Sequence, residues 1–273
     1  MGDSVEGELR WFGYSLDREF KELKVIPLND FHYGNPLCSL KHIDRTLNFI
    51  NDNDNVRAIC IGDLCESVLR TSKGDIHRQV GTPQDQRDWV IEKLYPVRNK
   101  ILALTTGNHE ERIYKETGID ISKDIAEALE VPYRAEGILL KIAFGNGNNR
   151  QEGKPYVYWC YATHGYGGAR TKAAKAVKAE RLSTWIHADF YIMSHDHVVN
   201  VAPDIYLIPD TRGTSKDGVM TGKITAHRKM LVKSNAYLKW GGYSENLGFP
   251  PTDLETPIIK LFGTGKPQVK VEV

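Results

Sequence analysis

Five short clusters in this chain carry side chains able to bind divalent cations. They are Asp30-Phe31-His32, Gly62-Asp63-Leu64-Cys65-Glu66, Gly107-Asn108-His109-Glu110, His164-Gly165 and His195-Asp196-His197. Carboxylate, amide and imidazole groups in this mixture suit manganese, iron or zinc better than calcium. A single residue between two such groups lets one loop present both side chains to one ion. Gly62 and Gly107 allow a sharp turn that brings the next side chain back over the chain that precedes it. Taken singly the fragments mean little, since Asp and Asn after a strand are ordinary turn residues and HxH arises by chance. Five in order are harder to set aside.

The clusters need elements to position them, and each clear strand runs into one. Lys24 to Leu28, Val56 to Ile61 and Ile101 to Leu104 are short apolar runs of buried-strand type. Between them, Leu40, Ile43, Leu47 and Ile50 recur at helical spacing, and Gln84 to Arg98 reads as an amphipathic helix with Trp89, Val90, Leu94 and Val97 inward. Strand, helix, strand, helix, strand is the pattern of an open α/β sheet. Such sheets gather ligands at the carboxyl ends of their strands, so the five clusters can converge on one site. The second half reads as more antiparallel, with strands at Ile138–Phe144, Tyr156–Ala162 and Ala188–Met193 and a helix at Thr171–Trp185. Short strands follow at 205–208, 229–233, 257–262 and 268–273.

Composition sets bounds. The 273 residues are 41% hydrophobic and 26% charged, enough for a core in one large domain, 1–273. A formal net charge of +1 argues against a strongly basic nucleic-acid coat, though not against a local basic patch. The four cysteines form no CxxC pair and suggest no disulfide framework. No apolar run reaches membrane-spanning length, and the polar first residues carry no signal-peptide pattern, so the expected location is cytoplasmic.

With all five blocks in order from Asp30 to His197, the chain resembles the calcineurin-like metallophosphoesterase superfamily, whose signature is DxH, GDxx(D/E), GNH(D/E), a lone His and GHxH. Ser194 stands where the pattern has Gly, a small change if the backbone there avoids positive φ. The resemblance implies a four-layer α/β/β/α sandwich with mixed sheets, its motifs within 24–200 and the segment 201–273 completing the second sheet. It also implies two divalent metal ions, Mn²⁺ first, with Fe, Zn and Ni as alternatives. One takes Asp30, His32 and His197; the other takes Asn108, His164 and His195; Asp63 bridges them. Paired ions about 3.5–4 Å apart clamp the attacking and leaving oxygens of an in-line displacement and make hydroxide available near neutral pH. His109 matches the non-ligand histidine, expected to protonate or stabilise the leaving oxygen. Glu66 and Glu110 are expected to orient ligands from behind.

What the resemblance implies is phosphate-ester hydrolysis, and three readings of the substrate follow. Arg170, Lys172, Lys175, Lys178 and Arg181 recur near helical spacing after His164-Gly165-Tyr166-Gly167-Gly168, opposite Ala174, Val177 and Trp185. Beside the centre, such cations would bind phosphates of DNA, RNA or a nucleotide, with Tyr33, Arg112 and Tyr166 lining the mouth; elsewhere they form a solvated face. Together with a likeness to phage and prophage phosphoesterases in the HGxGG-like segment and in Ser234-Asn235-Ala236-Tyr237-Leu238, this favours a phosphodiesterase or nuclease. A phosphomonoesterase such as a serine/threonine protein phosphatase is the alternative, although Gly62-Asp63-Leu64-Cys65-Glu66 lacks the Asp-Arg-Gly of that group. A non-catalytic binding module that kept the fold is the third, weakened because every signature position is filled. The sequence carries no sign of oligomeric state.

Overall fold

The computed structural model describes residues 10–72, 74–147, 153–169, 171–246, 248, 251 and 254–273. Arg170 lies outside them. In chain order the elements are β1 (Trp11–Ser15), β2 (Glu22–Leu28), α1 (Leu40–Asp52), β3 (Val56–Ile61) and α2 (Pro83–Leu94), the last running into a 3-10 turn (Tyr95–Lys100). Then come β4 (Ile101–Thr105), α3 (Asn108–Thr117), α4 (Ile121–Leu129), β5 (Ile138–Phe144), β6 (Tyr156–Thr163), α5 (Lys172–Trp185) and β7 (Phe190–Met193). The chain closes with β8 (Asn200–Lys216), β9 (Val219–Lys233), α6 (Tyr243–Asn246), β10 (Ile258–Phe262) and β11 (Val269–Glu272). The helix expected over Gln84 to Arg98 divides because Pro96 has no N–H to bond the carbonyl one turn back.

The strands form two mixed sheets, in the orders β11-β10-β2-β3-β4 and β1-β5-β6-β7-β9-β8. Period-two alternation sorts their side chains. Leu23 and Val25 of β2 enter the core between the sheets, while Ile26 and Leu28 face the helices. On the first sheet's outer face lie α1 to α4, burying Ile43, Leu47, Val90, Leu94 and Ile125. On the second sheet's outer face lies α5, burying Ala179 and Leu182 against Tyr161 and Tyr191. These three cores between four layers are the α/β/β/α sandwich.

The last segment divides between the sheets. β8 and β9 extend the second, but β10 and β11 return to the first, with Ile259 opposite Val25 of β2. This corrects the expectation that 201–273 completes the second sheet throughout. Short strand patterns say that a segment pairs, not which sheet edge it meets.

Candidate metal centre

Strand ends from both sheets meet along one edge. Asp30 and His32 follow β2, Asp63 follows β3, Asn108 and His109 open α3 after β4, His164 follows β6, and His195 and His197 follow β7. Five of these residues sit in the left-handed region: Asp30 (φ 48°), His32 (48°), Asp63 (51°), His195 (69°) and His197 (49°). Each such residue costs about 1–3 kcal/mol and persists only where its surroundings hold it. Ser194 is outside that region, so glycine is not required there. Gly107 is needed for a reason other than turning: a Cβ on it would stand 2.2 Å from the backbone nitrogen and carboxylate of Asp63.

The side chains form two groups that share Asp63. In one, His197 Nε2 lies 3.1 Å from Asp30 Oδ1 and 3.1 Å from His32 Nε2. In the other, His164 Nε2 lies 3.0 Å from Asn108 Oδ1, 3.1 Å from His195 Nδ1 and 3.2 Å from Asp63 Oδ2. Asp63 Oδ2 also lies 3.9 Å from His32 Nε2.

Tautomers decide what these contacts are. His164 Nδ1 donates to the Ile61 carbonyl, 2.9 Å away, and His195 Nε2 donates to the Gly167 carbonyl at 2.5 Å. Neutral imidazoles so held turn lone pairs inward, toward two oxygens that are also acceptors. His32 Nδ1 likewise meets Glu66 Oε2 at 2.9 Å, turning its own Nε2 lone pair inward. Asp30 Oδ1, fully buried, is left without a well-directed donor among the described residues; His197 Nε2 stands 3.1 Å from it. With the imidazoles neutral, their lone pairs converge on the carboxylate and amide oxygens, and a set of this kind fits divalent metal ions.

Charge tells the same story. Burial alone would raise the Asp30 and Asp63 carboxyls, yet the surrounding histidines hold both far below the carboxylate range. Burial would lower His164, but the Asp63 carboxylate lifts it to about 9. The two acids demand positive charge among them, from protons or from metal. Glu110 lies behind, accepting N–H bonds from Asp63 (2.9 Å), Cys65 (2.9 Å) and Gly107 (3.1 Å), while burial and the charge of Asp63 raise it to about 7. The N-terminus of α3 also faces Asp63, whose Oδ1 accepts from His109 N at 2.8 Å.

His109 stands at the rim. Its Nδ1 donates to the Glu66 carbonyl at 2.7 Å, its ring packs on His32, and its Nε2 is 3.9 Å from Asp63 Oδ2. Burial lowers it to about 4, with Arg112 adding to the effect. Beside Asn108, His164 and Gly165 opens a groove of about 800 Å³, bordered by Tyr114 and Tyr133.

The expected substrate contacts fare unevenly. Tyr166 and Lys172 are exposed and Arg112 is half-buried. Tyr33 turns away and stacks on Trp89 at 3.6 Å. Lys175 is not available to substrate: it is buried, and its ammonium donates to the Asp196 carbonyl at 2.8 Å. Lys178 is buried as well, 2.7 Å from Asp196 Oδ1. The fully buried Lys233 meets Asp196 Oδ2 and donates to the Ser194 carbonyl at 3.1 Å. Helix α5 is thus turned over relative to its expected polarity, with Val177 and Trp185 outward. Sequence reasoning also passed over Asp196 itself, which lay in plain view between the two histidines, and Asn29, whose Nδ2 donates to Asp30 Oδ2 at 2.6 Å. Lys233 ends an unremarkable strand and gave no signal.

No family model and no curated protein matches this chain. Solved structures similar to it include the calcineurin-like phosphoesterase YfkN from Bacillus subtilis, 12% identical with a TM-score of 0.46, over 92% of this chain and 90% of that one. Vacuolar protein sorting 29 from Cryptosporidium parvum is similar at 13% identity and a TM-score of 0.43, over 92% and 97% of the two chains. The nuclease MPE from Pseudomonas putida is similar at 12% identity and a TM-score of 0.37, over 91% and 87%. All three likenesses are distant.

Proposed function

We propose that this chain is a metal-dependent phosphoesterase with two divalent cations in its centre. The observation that carries this reading is the pair of converging lone-pair clusters joined by Asp63. Asp30, His32 and His197 would hold one ion, Asn108, His164 and His195 the other, with Asp63 shared. Such a pair supplies Lewis acidity and a hydroxide nucleophile near neutral pH. The chain's own groups do the rest. Glu66 and Glu110 fix the orientation of His32 and of the Asp63 turn. His109, with Nε2 3.9 Å from Asp63 Oδ2, would serve an ester oxygen held beside that carboxylate, and an anionic substrate there would favour its protonated, donating form.

For the substrate, the inward turn of Lys175 and Lys178 removes two of the cations that supported a long nucleic acid. The adjoining groove has the volume of a small-ligand pocket. That supports a nucleotide-sized phosphodiester, with a phosphomonoester as the alternative.

The test is hydrolysis of bis-p-nitrophenyl phosphate and of p-nitrophenyl phosphate with added Mn²⁺. Faster turnover of the diester is expected; monoester preference moves the phosphatase reading ahead. Asp63→Asn should lower activity by more than about 100-fold and weaken both ions together. His109→Ala should keep both ions and lose about 10²–10⁴ in turnover. Loss of metal in that second variant would make His109 a ligand and sink its assigned role.

A further inference from the structure

Helix α3 stands between the adjoining groove, which it lines with Asn108, Glu111 and Tyr114, and the rim where His109 meets the Glu66 carbonyl. Past Glu110 its charged side chains are Glu111, Arg112, Lys115 and Glu116. Glu111 and Lys115 pair with each other at 2.9 Å, and Glu116 accepts from Thr71 Oγ1 at 3.1 Å. Arg112 is the exception. It is half-buried, and its guanidinium has neither an ion pair nor a hydrogen bond among the described residues. A charge partly withdrawn from water and left without an acceptor is costly until an anion meets it.

Its place on the helix says which anion. Arg112 follows Asn108 by four residues and His109 by three, so the three share one side of α3. A helical side chain lies over the turn that precedes its own Cα, and here that turn presents Asn108 and His109. Arg112 is also near enough for its charge to act on His109. The groove offers an anion much less. Its ammonium, Lys123, stands 3.7 Å from Glu127, and its walls add the carboxylates of Glu111, Asp120, Asp124 and Glu136.

We propose that Arg112 is a specificity residue, taking a second anionic group of the substrate on the leaving side of the scissile phosphate ester. The inference rests on the phosphoesterase reading and narrows it. In that reading the oxygens of the reacting phosphate belong to the two cations, and His109 serves the leaving oxygen. A guanidinium on the His109 side is then free for the group that departs there. Its planar fork matches the oxygens of a phosphate in bidentate fashion. The favoured substrate is a nucleotide phosphoanhydride, with the departing phosphate at Arg112 and an uncharged part in the groove.

The experiment is calorimetric titration of the full chain at fixed free Mn²⁺ with methylphosphonate and with methylenediphosphonate, whose P–C bonds hydrolysis leaves intact. The wild type should bind the diphosphonate about 10- to 100-fold more tightly, and Arg112→Gln should bring the two ligands within about threefold of each other. Arg112→Lys should keep part of the preference. Lys115→Gln, which removes a cation from the same helix, should keep all of it. A wild type without the preference overturns the proposal, as does a preference that survives Arg112→Gln. Equal weakening of both ligands also overturns it, because Arg112 would then hold the reacting phosphate. Turnover is read separately. Arg112→Gln should lose about 10- to 100-fold in kcat/KM on a dinucleoside diphosphate and less than about threefold on bis-p-nitrophenyl phosphate. If the wild type hydrolyses neither while the binding preference stands, the phosphoesterase reading falls and the second anion site remains.

Discussion

Helices α1 and α5 cover the outer faces of the two sheets, and they do so by opposite means. α1 buries Ile43, Leu47 and Ile50 and follows the usual rule of an apolar inner stripe. α5 buries Lys175 and Lys178 with Ala179 and Leu182, and leaves Val177 43% and Trp185 64% exposed. The difference lies in what each helix covers. Beneath α1 are strands and the Tyr237 ring, which take mainly apolar packing from it. Beneath the first turns of α5 is the turn carrying His195 and His197, both in the left-handed region. Between them, Asp196 is held by ammonium groups from α5 and from Lys233 of β9. Lys178 also lies against Gly167, whose carbonyl fixes His195. Because His195 belongs to one half of the centre and His197 to the other, a grip on Asp196 sets both halves together.

The sharpest way to break this contrast is to compare Lys233→Met with Ile43→Ala. Removing one partner of a buried ion pair costs about 3–5 kcal/mol, and emptying a core site under α1 costs about 2–5 kcal/mol. The stability losses should therefore be similar. Metal affinity should separate them: Lys233→Met loses Mn²⁺ from both halves in equilibrium dialysis, whereas Ile43→Ala binds as the wild type does. Equal affinity in the two variants would reduce the lysines to packing.

Lys178→Met is the milder form of the same cut, since Lys233 still holds Asp196. A lost hydrogen bond to a charged group is worth about 1.5–3 kcal/mol. Metal affinity should fall less than in Lys233→Met, and mainly in the half that contains His195. An unchanged denaturation midpoint would show that Lys178 is not spent on Asp196 in solution.

What could be read from the sequence, and what could not, divides along the same line. The five clusters were legible because Asp, Asn and His at strand ends have few other reasons to recur together, and the strands were legible from apolar runs such as Val56 to Ile61. α5 was misread because its amphipathic pattern sorts residues by their own polarity. Lys175 and Lys178 go inward for a partner 21 and 18 residues away, and no local pattern reports that. β1 escaped notice because it is a sheet edge with alternate residues exposed, so its apolar run is too short to register. β8 and β9 read as separate short strands because their long exposed middle, from Pro209 to Ala226, lacks the buried alternation that marks a strand.

The smallest effect lies on the α1 side, in its one buried histidine. His42 accepts from Arg45 at Nδ1, 2.8 Å away, and meets Thr256 Oγ1 through Nε2 at 2.9 Å. Burial, with Arg45 beside it, lowers His42 to about 4, against an ordinary value near 6.5. Between those two pH values the unfolded chain binds a proton there that the folded chain refuses. Stability from this residue is therefore complete above about 6.5 and is lost as the pH falls through about 4. Denaturant midpoints taken across that range should drop less in His42→Gln than in the wild type. Metal affinity at pH 7 should be the same in both, because His42 reaches the proposed ligands only through Tyr237, whose N–H bonds the Asp30 carbonyl at 3.0 Å. If His42→Gln also loses metal, then the Tyr237 link carries α1's support to Asp30, and the contrast between the two helices is one of degree.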